Sequence, residues 1–188
     1  MNFCSHCGSA KLALRIPDGD TLPRFVCDQC GTIHYQNPKV VVGCLPTYGA
    51  QVLLCLRAIE PRRGKWTLPA GFLENGESLA TGAERETLEE ARARVRIGDL
   101  YTVISLPYIN QIYVMFRAEL LDLDFGPGDE SLDVRLFAED EVPWEELAFR
   151  TITRTLRNFY LDRKLGTFAT HVSTLAKQPV RPELAAAA

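Results

Sequence analysis

No run of about 18 consecutive apolar residues occurs in the 188-residue chain, so no segment is expected to span a membrane. The opening residues, MNFCSHCGSAKL, lack the apolar h-region of a signal peptide, and the expected location is cytoplasmic. Positive charge is not in excess either. Lys and Arg number 21 against 24 Asp and Glu, a formal charge of −3, which disfavours a scaffold for nucleic acid. An acidic protein that handles phosphates needs a metal cation as intermediary. No internal repeat interrupts the chain.

What is present is enough hydrophobic sequence, 46%, for a real core in one domain or one domain plus a small appendage. Three zones follow from the patterns. Residues 1–36 carry two cysteine pairs, residues 37–165 alternate strand-like and helix-like stretches, and residues 166–188 read as a loosely held C-terminal tail.

The first zone reads Cys4-x2-Cys7, nineteen residues, then Cys27-x2-Cys30. Without an export signal, that spacing points to four thiolates on a structural zinc ion rather than to disulfides. Redox C-x-x-C chemistry is the competing reading, weakened because no βαβ pattern follows either pair. Thirty-six residues build little core, so metal binding would supply most of the folding energy of this zone. With four thiolates available, neither His6 nor His34 is needed as a ligand. Cys44 and Cys55 lie inside apolar runs and read as small buried hydrophobes.

In the second zone, 39–46 and 51–58 are apolar runs around a turn and predict a hairpin. Runs 100–106 and 111–120 predict a second pair, and 133–138 a short strand. A helix is expected from an N-cap at Ser78 to about residue 93, with Ala80, Ala83, Thr87, Leu88, Ala91 and Val95 toward the core. Another helix is expected near Pro143, and a third over 151–164 ending at Gly166.

The first helix carries Glu86, Glu89 and Glu90 at i, i+3 and i+4, one arc about 100° wide. Like charges so placed cost roughly 0.2–0.5 kcal/mol per pair. Taken alone the stretch reads as a solvated face, with Arg85, Arg92 and Arg94 offsetting the acids. The wider run changes that. GFLENGESLATGAERETLEEARA, residues 71–93, reads Gly71, five residues, Glu77, seven residues, then Arg85-Glu86-x-x-Glu89-Glu90.

This run resembles the Nudix box, G-x5-E-x7-R-E-U-x-E-E-x-G-U. Thr87 stands where the box has an aliphatic residue, and Arg92 where it has its last glycine; Arg92 is expected to let the helix run on and to be within reach of a substrate phosphate. Residues 31–43, 57–72, 105–116 and 130–149 also resemble a Nudix subgroup with an N-terminal Cys4 ribbon, which includes bacterial proteins and plant enzymes that hydrolyse FAD or ADP-ribose. The resemblance implies an α/β fold: a Nudix α/β/α sandwich with a mixed sheet, plus a small zinc ribbon.

It further implies that Glu86, Glu89 and Glu90, with the Gly71 carbonyl, hold Mg²⁺ or Mn²⁺, hard cations that take oxygen ligands. Glu77 and Arg85 would pair in support. The general base is open among Glu89, Glu90 and Glu130. Arg57 is a candidate phosphate clamp. Arg62, Arg63 and Lys65 either add charge at the mouth or solvate a loop. Tyr108 and Tyr113 either stack on a base or flavin ring or simply pack.

The implied activity is metal-dependent hydrolysis of the diphosphate in nucleoside diphosphate-X substrates, FAD or ADP-ribose foremost, giving AMP and a phosphorylated product. No nucleic-acid partner is expected, and a homodimer is. The alternatives are an NADH pyrophosphatase and a non-catalytic nucleotide sensor. The first carries an S-Q-P-W-P-F-P stretch after the box, where this chain has SLPYINQ.

Overall fold

The computed structural model describes residues 1–177, which divide into two units, 1–38 and the chain from Lys39 onward. In the smaller unit, β1 (Leu12–Arg15), β2 (Arg24–Cys27) and β3 (Ile33–His34) form a three-stranded antiparallel sheet. Gly8 and Gly31 follow the second cysteine of each pair and both have positive φ, which glycine adopts without steric penalty. The tight turns they make bring Cys4 within 3.7 Å of Cys30 and Cys7 within 3.6 Å of Cys27, measured between sulfurs.

The larger unit opens on the predicted hairpin, β4 (Lys39–Tyr48) and β5 (Gln51–Arg57). Its strands pair only near the turn, at Thr47–Val52 and Tyr48–Gln51. Beyond that they splay. Two short strands, β6 (Trp66–Thr67) on β5 and β7 (Ala70–Phe72) on β4, pair along the separated edges. Gly43 makes the fit possible: a Cβ there would overlap the Pro69 carbonyl and Ala70.

Helix α1 (Leu79–Ala91) follows, capped by the Ser78 hydroxyl, which accepts from the Thr81 N–H at 3.1 Å. The long pair β8 (Val95–Leu106) and β9 (Gln111–Leu120) comes next, then β10 (Ser131–Phe137), α2 (Arg150–Leu165) and β11 (His171–Thr174). The sheet runs β10-β5-β4-β9-β8-β11 and is mixed, with β4–β9 and β11–β8 parallel.

Alternation along the strands sends side chains to two cores. Val42, Cys44, Leu53, Cys55 and Val114 meet the small Ala83 and Ala91 of α1. Leu45, Leu54 and Met115 meet Ile152, Leu156 and Phe159 of α2. The two helices thus cover opposite faces, giving the expected α/β/α sandwich. Cys44 and Cys55 are buried in the first core as small apolar groups.

Four expectations need correction. Arg92 does not prolong α1; it closes the helix at φ 50° in the left-handed region, with its N–H on the Leu88 carbonyl. Leu88 is 51% exposed, and Gly82, Glu86 and Glu90 are buried instead, so the inward face is turned from the arc expected. Val95 is buried but already in β8, not in the helix. Near Pro143 there is only a 3₁₀ turn, Trp144–Glu146, because the chain there pairs with Trp66: the Ala148 N–H reaches the Trp66 carbonyl.

Part of the stretch read as tail is ordered into the sheet. His171 to Thr174 pair with Thr102 to Ser105, His171 bonds Asp162 of α2 at 2.8 Å, and Leu175 is buried on Ile104 and Leu106. The rest of that expectation, residues 178–188, lies outside the described residues.

Candidate active site

Where β4 and β5 part, a cavity of about 1180 Å³ opens between the two helix layers. Its lining includes Gly71, Arg85, Glu86, Glu89 and Glu90 on one side, Arg57 and Glu130 from β5 and the loop before β10, and Ala148 to Ile152 at the start of α2. Every sequence-predicted catalytic, substrate and box-metal residue lines it, Tyr108 and Tyr113 among them. Glu77 stands behind, bound to Arg85. Arg62 also lines the cavity; Arg63 and Lys65 are absent from its wall.

The box is built around Arg85. Its Nε and Nη2 donate to the two Glu77 oxygens at 2.6 and 3.0 Å, a two-point contact that ties the loop to the helix. The same guanidinium reaches the Phe72 carbonyl at 3.1 Å, Glu86 at 2.7 Å and Glu89 at 2.9 Å. The Arg85 fork holds the Glu77 carboxyl below its usual range. Gly71 is the other fixed element: a Cβ there would overlap the Glu86 carboxylate. Only glycine lets that carboxylate lie against the strand.

Burial sets the electrostatics. Desolvation pushes the Glu90 carboxyl up to about 8, against the N–H of Ala70 that it accepts at 3.2 Å and with Glu86 adding repulsion. Glu86 is raised as well, by burial first, with Glu89 and Glu130 contributing. A cluster of carboxylates this costly to ionise suits a hard divalent cation, which offsets the desolvation and repulsion together. Glu130 reaches the cluster because the loop 126–128 folds over the helix end. The Gly126 and Gly128 N–H groups take the Ala91 and Glu90 carbonyls at 2.9 and 3.0 Å. A side chain on Gly128 would overlap the Glu89 carbonyl.

Arg57 is buried, with Nε on the Pro61 carbonyl at 3.0 Å and its guanidinium 5.1 Å from the centre of the Phe149 ring. Tyr108 is 44% exposed, whereas Tyr113 packs against Ile104, Leu106 and Leu175. The start of α2 was not anticipated as part of the site. Phe149 and Arg150 carry no motif that marks them, and only the fold brings them to the cavity.

In the smaller unit the sulfurs of Cys4, Cys7, Cys27 and Cys30 all lie within 4.8 Å of one another. Zinc with sulfur ligands at about 2.3 Å has tetrahedral edges of about 3.8 Å, close to the 3.6 and 3.7 Å observed. The donor set fits a closed structural zinc site.

Comparison with known proteins agrees. A NUDIX domain family model matches residues 37–159, and a zinc-ribbon model described as Nudix N-terminal matches residues 2–36. The chain belongs to the Nudix family. A Nudix hydrolase structure from Nitrosomonas europaea is 60% identical, covers 94% of this chain and 100% of its own, and superposes with a TM-score of 0.91. A NAD-capped RNA hydrolase NudC of Pseudomonas aeruginosa (strain LESB58) is 31% identical over 185 residues, 96% of this chain and 59% of that protein. This Nudix chain therefore spans about 59% of the length of such curated relatives. An ADP-ribose pyrophosphatase from Streptococcus suis, 19% identical, shares the fold with a TM-score of 0.57 over 74% of this chain and 100% of its own.

Proposed function

We propose that the chain hydrolyses the diphosphate linkage of a nucleoside diphosphate-X compound, most readily FAD or ADP-ribose, giving AMP and a phosphorylated product. The observation that carries this reading is the convergence of three α1 glutamates, Glu130 and Arg57 on one cavity of about 1180 Å³, large enough for a dinucleotide. Glu86, Glu89, Glu90 and the Gly71 carbonyl are the groups to hold Mg²⁺ or Mn²⁺. When bound, such an ion neutralises the diphosphate and polarises a phosphoryl oxygen.

The protein's own residues do the rest. Arg85, locked on Glu77, fixes the rotamers of Glu86 and Glu89. Arg57 presents a guanidinium to a phosphoryl oxygen. Glu130, exposed at the cavity wall, is open to take the proton of the attacking water; Glu89 and Glu90 remain alternatives. Phe149 and Tyr108 give apolar area for the base or the X group.

A second reading has specific support. Curated relatives that match 87% and 96% of this chain are named for NAD-capped RNA, and NAD carries the same kind of diphosphate. It would make a nicotinamide dinucleotide, free or on RNA, the substrate, and a nucleic acid a partner. Incubation with FAD, ADP-ribose, NADH and NAD-capped RNA plus Mg²⁺, followed by chromatography of the products, decides between them. AMP from FAD or ADP-ribose at the highest kcat/KM supports the first reading. Preference for the nicotinamide substrates supports the second, and tight binding with no cleavage of any would indicate a sensor.

A further inference from the structure

Left-handed backbone is unfavourable for any residue with a side chain, and after glycine it is asparagine that tolerates it best. Among the described residues three non-glycine positions adopt it: Asn110, as suits its type, and two arginines, Arg62 at φ 71° and Arg92 at φ 50°. Arg62 lies in the loop between β5 and β6, and Arg92 closes α1, where the Nudix box has glycine. Far apart in the chain, both line the same cavity. Strain of this kind clusters at binding sites. Glycine would close either turn without it, so what arginine adds is its side chain.

Both arginines are exposed. Arg94, Arg96 and Arg135 each sit on a carboxylate, whereas the guanidinium groups of Arg62 and Arg92 have no hydrogen bond or ion pair among the described residues. Arg63 and Lys65, neighbours of Arg62 with ordinary φ, are absent from the cavity wall. The 126–130 loop links the two strained positions. At one end its Gly126 and Gly128 amides hold the Ala91 and Glu90 carbonyls, and at the other the Glu130 carbonyl accepts from the Ala58 N–H at 2.8 Å. That loop spans at most about 14 Å fully extended, so two long side chains flanking it face one region of the rim.

Depth decides what they meet. Glu86, Glu90 and Arg57 are buried and, on the proposed function, take the diphosphate and its metal. Arg62 and Arg92 stand farther out, where a bound group keeps part of its hydration. Phosphate suits such a place, and its oxygens match the planar fork of arginine. We propose that Arg62 and Arg92 bind a further phosphate, borne on a ribose of the substrate outside the diphosphate, and so select ribose-phosphorylated dinucleotides over their unphosphorylated counterparts. The place of the diphosphate rests on the proposed function; the pair of free cations at the rim does not. Two sources carry this chemistry: a phosphate monoester on the ribose, and the phosphodiester of a polynucleotide joined to it.

Two probe pairs separate these sources on the zinc-loaded chain with Mg²⁺: NADPH against NADH, and NAD-capped RNA against NAD. The readout is the ratio of kcat/KM within each pair or, for probes that are not cleaved, the ratio of Kd by titration calorimetry. Wild type should favour the phosphate-bearing member of at least one pair about 100-fold, at about tenfold for each charge-assisted contact. Arg62→Gly and Arg92→Gly, which suit the left-handed backbone and keep the fold, should each cut that ratio about tenfold. Arg63→Ala, off the wall, should leave it unchanged. Preference in the NADPH pair identifies a monoester site, and preference in the capped-RNA pair a polynucleotide. No preference in either pair, a ratio that either glycine variant retains, or an equal fall in Arg63→Ala would overturn the proposal. No cleavage of any probe, with Kd still following Arg62 and Arg92, would sink the proposed function and leave the rim site standing.

Discussion

At the residue scale, Glu90 carries the clearest consequence. Its buried carboxyl has a folded pKa of about 8 against 4.5 for an ordinary glutamate. A carboxyl raised in this way adds stability while protonated. That contribution is whole below about pH 4.5 and is lost as pH climbs through about 8. Metal-free protein should therefore melt at progressively lower temperature across that window in scanning calorimetry. Glu90→Gln should flatten the decline, and a fall of the same slope in the variant would contradict the assignment of the buried charge. Glu89 is different, with a side chain 58% exposed and bound to Arg85. Glu89→Gln should leave the melting temperature within a degree or two and lower turnover by about 100-fold or more. Thr87 explains itself at this scale too: fully buried, it gives its hydroxyl to the Ala83 carbonyl at 2.8 Å and fills the place of an aliphatic side chain.

At the scale of the element, α1 was legible in its start and composition. Its spacing placed the three acids on one arc, and Ser78 marked its N-cap. Its rotation and its end were not. Glu86 and Glu90 turn inward because Gly71 and the parted strands leave a polar cavity on that side, information held in residues some twenty positions upstream. The helix stops at Arg92 because the Gly126 and Gly128 amides arrive from a distant loop to take its last carbonyls. A left-handed non-glycine residue costs about 1–2 kcal/mol, part of which glycine gives back through its larger unfolded entropy. Arg92→Gly should thus stabilise by up to about 1 kcal/mol, raising the melting temperature by about 2–4 °C. A lower melting temperature would show that Arg92 makes a compensating contact. In α2, Leu156 is fully buried against the sheet, and Leu156→Ala should cost about 2–5 kcal/mol by urea denaturation.

At the scale of the whole molecule, the cysteine clip was legible in the spacing of its two pairs, and the sandwich followed from the resemblance of residues 71–93 to the Nudix box rather than from alternation alone. The start of α2 and the pairing of residues 171–174 were hidden, since both depend on contacts between segments far apart in the chain. The clip itself is open to direct test. Stripping zinc with a strong chelator should collapse the dispersed amide signals of residues 4–34, because zinc binding supplies about 10 kcal/mol or more to such a site. Persistence of those signals in the metal-free thiol form would argue for a unit that folds on its own core.

The central claim is that the α1 carboxylates capture a divalent cation beside a diphosphate. Manganese electron paramagnetic resonance on the zinc-loaded protein, with a slowly hydrolysed nucleotide diphosphate present, addresses it most directly. Wild-type protein should immobilise Mn²⁺ at the box, and a variant carrying both Glu86→Gln and Glu90→Gln should leave it free in solution. Equal capture by the two proteins, or no capture by either, would contradict the claim.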